Sequence, residues 1–94
     1  MASETAKALL RTSIGFITVP TDIDALLTHD LDAAASRLAK DGVPINEADP
    51  DDLDLLVMYA RWLYRKRSSG EPMEPMLRYA INNGKIHKAV TSDA

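Results

Sequence analysis

Several groups of side chains in this sequence have types and spacings from which chemistry could be built. His29 stands beside Asp30 and Asp32, a set that could hold a divalent cation. The second histidine, His87, is far away in sequence, and neither belongs to an HxxxH or HxxE pattern, so zinc-ligand spacing is missing. A solvated helix face accounts for His29. Asp49, Asp51, Asp52 and Asp54 resemble the opening of a calcium loop, but no glycine turn and no terminal bidentate glutamate follows. The same residues make a good helix start, with Asp49 as cap, Pro50 at the first position and acids in the first turn. Ser13, Ser36, Ser68 and Ser69 stand in no nucleophile-elbow context, and no glycine-rich loop could cradle phosphate. A glycosidase-like carboxylate pair needs a pocket that a 94-residue helical chain struggles to form. These residues predict no enzyme, no metal and no cofactor. The question is what the protein binds.

Two further groups bear on that question. Arg61, Arg65, Lys66 and Arg67, with Trp62 and Tyr64 interleaved, could contact phosphate. The simpler reading is a basic helix end that matches the helix dipole and snorkels into solvent. A helix-turn-helix would have to cross a break holding Pro72 and Pro75, longer than the usual turn, and its second helix offers only Arg78, Asn82 and Asn83 as base readers. Met73, Met76 and Leu77 cluster around the same prolines. Such a cluster is ordinarily core, but the two X-Pro steps keep the segment stiff, and methionine suits adaptable contacts.

Composition frames these readings. Ninety-four residues with 46% hydrophobic and 27% charged content make one globular domain. A chain this short buries about two thirds of its unfolded surface, so its stability margin is small. Cysteine is absent, which removes disulfides, thiol catalysis and thiolate metal sites and suits a reducing compartment. The net charge of −3 argues against broad phosphate binding. The apolar runs fall short of the ~20 residues that span a bilayer, and no charged-then-apolar leader opens the chain. A cytoplasmic site of synthesis without membrane association is expected.

The elements that must position these residues are helices. Helix one is expected from Ser3 to about Ser13, with Leu9, Leu10 and Ile14 as its apolar stripe and Gly15 as its stop. Phe16-Ile17-Thr18-Val19 reads as a linker pinned by Phe16 and Val19. Helix two starts at Thr21 or Asp22. Ile23, Leu27, Leu31, Ala34 and Leu38 recur at helical spacing, Arg37 and Lys40 fill the last turn, and Gly42 follows. Residues 43–49 have no period and form a loop. Helix three runs from Pro50 to about Arg67 with two apolar stripes, one of Leu53, Leu56, Val57, Ala60, Leu63 and Tyr64, the other of Leu55, Tyr59 and Trp62. A helix apolar on two faces is buried on two sides, so it is the centre of a bundle or an interface helix. After Ser68-Ser69-Gly70 and the two prolines, a short helix four is expected from Pro75 to Asn83, stopped by Gly84. The fold class is all-α: one domain over residues 1–84, a small bundle of about four helices with a long two-sided central helix, and a flexible tail over 85–94.

The order of these pieces resembles the small helical head–tail connector proteins of tailed bacteriophages, also called adaptor or head-completion proteins. The matching segments are Thr21-Asp22-Ile23-Asp24-Ala25-Leu26-Leu27, then Asp52-Leu53-Asp54-Leu55-Leu56-Val57-Met58-Tyr59-Ala60-Arg61-Trp62-Leu63-Tyr64-Arg65, then Pro75-Met76-Leu77-Arg78-Tyr79-Ala80-Ile81-Asn82-Asn83. The similarity spans roughly residues 5 to 84 and consists of apolar and aromatic patterns, not catalytic signatures. It implies a structural virion protein at the head–tail junction: a ring of about a dozen copies closed by repeated contacts, extending the DNA channel without binding DNA specifically. Its partners would be the portal and a downstream neck or tail protein. By the same analogy, the part from Pro72 onward faces the portal, and the loop of Val43, Pro44, Ile45 and Asn46 makes lateral or downstream contacts. The interface candidates are Trp62, Arg65 and Arg67 near the end of helix three, Met73, Met76 and Arg78 around the prolines, and Ile86 and Val90 in the tail. The alternative is a small DNA-binding or regulatory helical domain using Arg61 to Arg67.

Overall fold

The structure, a computed structural model, describes residues 4–15 and 21–92, with all side chains in those ranges except those of residues 21, 22, 68, 69, 87 and 89–92. It consists of four helices in chain order: α1 (Glu4–Ile14), α2 (Thr21–Lys40), α3 (Pro50–Ser69) and α4 (Pro75–Ser92). No strand occurs among the described residues. The expected cap at Ser3 and the linker Phe16–Val19 lie outside them.

Local chemistry sets the helix ends. Asp49 adopts extended backbone and its carboxylate accepts from the Asp51 amide at 2.9 Å, while Pro50 occupies the first turn, where its missing N–H costs nothing. Gly15, Gly42 and Gly70 follow α1, α2 and α3 at φ of 100°, 90° and 69°, where a Cβ would be strained. The Gly70 amide returns to the Lys66 carbonyl at 2.8 Å, and the Val43 amide to the Leu38 carbonyl at 2.7 Å.

Helix α3 packs on each of the other three helices, and α1 also packs on α2. Its two stripes behave as two buried sides. Leu55, Leu56, Val57, Tyr59, Ala60 and Trp62 are buried, and Leu53, Leu63 and Tyr64 are half-buried against the same core. Leu10 of α1, Leu27, Leu31 and Leu38 of α2 and Leu77 of α4 are fully enclosed around it. Each such leucine contributes about 1.5–3 kcal/mol relative to exposure. The described residues measure 44 × 27 × 18 Å. The shortest extent is about two helix diameters, so every helix keeps an outer side.

The helix end expected at Gly84 is corrected, because α4 continues to Ser92. Gly84 serves close packing, not termination. A Cβ built on it would stand 3.0 Å from Val43 Cγ1 and 3.5 Å from Leu55 Cδ2. The bare glycine lets α4 lie against the 43–46 loop and α3. One turn later, Lys88 Nζ reaches Asp52 Oδ2 at 2.6 Å and fastens the extended helix.

Gly84→Val is therefore expected to destabilise the protein by about 1–3 kcal/mol through overpacking. Asn83→Val, one residue earlier at an exposed position, is expected to stay within about 0.5 kcal/mol. Denaturant midpoints of the two variants check this.

Candidate functional site

Arg61, Arg65, Lys66 and Arg67 project from the last turns of α3, where the sequence alone leaves them open to solvent or phosphate. In the structure each is engaged within the chain. Arg67 makes a two-pronged pair with Asp30 of α2, Nη1 to Oδ2 at 3.1 Å and Nη2 to Oδ1 at 2.5 Å. The Asp30 carboxylate is only 2% exposed, whereas Arg67 is 43% exposed. The pair thus neutralises a buried carboxylate while the guanidinium keeps part of its hydration. The hydrogen bond that Arg67 donates to Asp30 holds the Arg67 pKa above its ordinary value. Lys66 Nζ lies 4.9 Å from the centre of the Trp62 ring, a cation–π contact.

The linker 70–74 folds back over the same end of α3. Trp62 Nε1 donates to the Glu71 carbonyl at 3.2 Å, and the indole meets Tyr59 edge-on at 5.6 Å. Glu74 receives Arg65 at 3.7 Å and Arg61 at 4.0 Å. Arg61 Nη1 also donates to Ser13 Oγ of α1 at 3.1 Å, while its Nε is buried without a hydrogen-bond partner. Met73 sits half-buried against the core. Trp62 is therefore a core residue and a clamp on the linker. No signal in the sequence pairs Asp30 with Arg67, or Glu74 with Arg61 and Arg65, because the partners come from different elements.

The acidic start of α3 forms a second node. Asp52 is buried, and its Oδ2 accepts from the Asn46 amide at 2.9 Å and from Lys88 at 2.6 Å. The Asn46 side chain accepts from the Ala48 amide at 3.1 Å. The loop candidates divide accordingly. Val43 is fully buried, Ile45 is half-buried, Asn46 is tied to Asp52, and Pro44 is exposed. His29 is exposed on α2, and no group of three or more metal-ligating side chains is found among the described residues. Lys7 of α1 bonds Asp24 of α2 at 3.2 Å, and that hydrogen bond raises the lysine pKa. The attraction is accordingly present at neutral pH, and on the alkaline side it is lost as pH rises through the raised lysine value.

The candidates that face outward lie mainly on α4. Met76, Tyr79 and Ile86 are 69%, 65% and 65% exposed, and Arg78 and Lys85 are exposed on the same helix. The Val90 side chain lies outside the described residues. Tyr79 is absent from the sequence-based candidates, although its spacing from Met76 and Ile86 places all three on one helix face. Two hollows border α3. One, of about 340 Å³, lies between its acidic start and α4, and the other, of about 360 Å³, lies between α3 and α1. They meet at Asp54 and Met58. No protein-family model, curated protein or solved structure matches the chain.

Two substitution sets test these assignments. Arg67→Ala leaves Asp30 buried and unpaired and is expected to cost about 2–3 kcal/mol, below a full buried-pair loss because Arg67 is partly hydrated. Arg65→Ala, at an exposed pair, is expected to cost less than about 1 kcal/mol. Trp62→Ala is expected to cost about 3–5 kcal/mol as a core truncation. Equilibrium denaturation measures all three.

Proposed function

We propose that this protein is a structural component of the bacteriophage neck. It acts by assembling into a ring between portal and tail that extends the DNA channel. The observation that carries the reading is how the connector-like segments fall on the fold. Residues 21–27 open α2, residues 52–65 form the body of the central helix α3, and residues 75–83 open α4. The resemblance thus runs through consecutive helices of one all-α bundle and not through scattered surface patches. An outer face with Met76, Tyr79 and Ile86 exposed supports action through contacts with other chains. A net charge of −3 suits a channel wall that lets duplex DNA slide past without gripping its phosphates.

The small DNA-binding or regulatory reading has less support. It relied on the basic end of α3, and there Arg67 pairs with Asp30, Arg61 and Arg65 pair with Glu74, and Lys66 covers Trp62. Releasing these groups toward phosphate would break the contacts that hold the linker and shield Asp30.

Native mass spectrometry over a concentration series, with and without duplex DNA, tests the proposal. The expected result is a closed ring of about a dozen copies, unchanged by DNA. A DNA-bound dimer whose affinity falls steeply with salt would overturn the neck reading in favour of the regulatory one.

A further inference from the structure

Two surfaces of the molecule complement each other. The first is the outer face of α4. Among the described residues the exposed large hydrophobics are Leu9, Met76, Tyr79 and Ile86, and three of these four lie on α4. They recur at i, i+3 and i+10, one stripe along a single helix. No acidic residue occurs between Pro75 and Ser92, and Arg78 and Lys85 flank the stripe in exposed positions. Lys88, the other strongly basic residue of α4, is held by Asp52.

The second surface is the trough over the uncovered side of α3. The hollow beside α4 and the hollow beside α1 share the lining residues Asp54 and Met58, so the trough consists of two adjoining hollows on α3. Its floor is apolar, with Val57 and Met58 in the α1 half and Leu55 and Ala80 in the α4 half. Its lip holds the remaining exposed large hydrophobic, Leu9. Its exposed charged groups include Asp51 and Asp54. One surface is thus an apolar ridge flanked by cations and the other an apolar trough rimmed by carboxylates, and both belong to every copy of the chain.

We infer that the Met76–Tyr79–Ile86 face of α4 in one copy docks in the trough over α3 of a second copy, with Arg78 and Lys85 brought toward Asp51 and Asp54. This deepens the neck reading and rests on it for the number of copies joined. Because donor and acceptor are different patches, the contact can repeat head-to-tail, the kind that generates rings when the rotation closes. It assigns the exposed stripe of α4 to a neighbouring copy, not to the portal that the resemblance alone implies for this part of the chain.

The absence of cysteine allows a direct test with the full chain. Tyr79→Cys is mixed under oxidising conditions with Thr12→Cys, at the trough, and separately with Ser36→Cys, at an exposed position on α2. Docking raises the effective concentration of the first pair. The 79–12 disulfide is expected to form about tenfold faster than the 79–36 disulfide, and Asp54→Lys in the acceptor should abolish the difference. Equal rates for the two pairs, or 79–79 linkage outpacing 79–12, would overturn the inference. Native mass spectrometry of wild type separates this outcome from failure of the neck reading. Fast 79–12 linkage in a species that closes at two copies keeps the contact and removes the ring. A ring of about a dozen copies without preferential 79–12 linkage keeps the neck reading and removes the contact.

Discussion

Burial of α3 on two sides is the constraint that organises this protein. Leu55, Leu56, Val57, Tyr59, Ala60 and Trp62 are too many apolar residues for one helix stripe, so a single neighbour cannot cover them. Coverage comes mainly from α2, and α1 and α4 also pack on α3. The enclosed leucines of all four helices converge on this one element. With so short a chain, most of the apolar stabilisation passes through α3. A thickness of 18 Å leaves no room for a further layer. Asp54 stays exposed on α3, with Met58 half-buried beside it.

The groups that look chemically promising in the sequence serve mainly as fasteners. Asp52 opens a helix and also ties the 43–46 loop and the far end of α4 to it. Glu74 draws the proline linker onto Arg61 and Arg65, and the Trp62 indole holds the same linker through the Glu71 carbonyl. Asp30, nearly sealed from water, requires Arg67. The separate elements are short, and single hydrogen bonds add only about 1 kcal/mol net. Several such ties set how the linker and α4 lie on α3. A module built this way has its polar groups committed to shape, which suits a protein whose work is to present surfaces to neighbours.

Surface character then follows from what the fasteners leave over. Arg78 and Lys85 lie on a helix with no acid of its own, whereas Asp51 and Asp54 stand on the open side of α3. The charge asymmetry is invisible in the net value of −3, because it separates in space and not in total. Distribution of charge between faces, and not overall charge, is the property that would select a partner and its orientation.

The sequence by itself determined the helices and most of their ends. Proline and glycine restrict φ locally, Asp49 caps its own neighbour, and apolar spacing marks which side of each helix is buried. The two-sided character of α3 was legible for the same reason: both stripes lie within one continuous segment. Only the tertiary structure decided the rest. Gly84 reads as a stop in sequence, but its role depends on Val43, 41 positions earlier, lying 3.0 Å from where its Cβ would be. The cations at the end of α3 look available until Asp30 and Glu74 arrive from other elements. The hollows beside Asp54 and Met58 exist only because the fold brings α1 and α4 to the flanks of α3. Backbone preference acts over a few residues and can be read along the chain, whereas pairing and concavity depend on which distant segments the fold brings together.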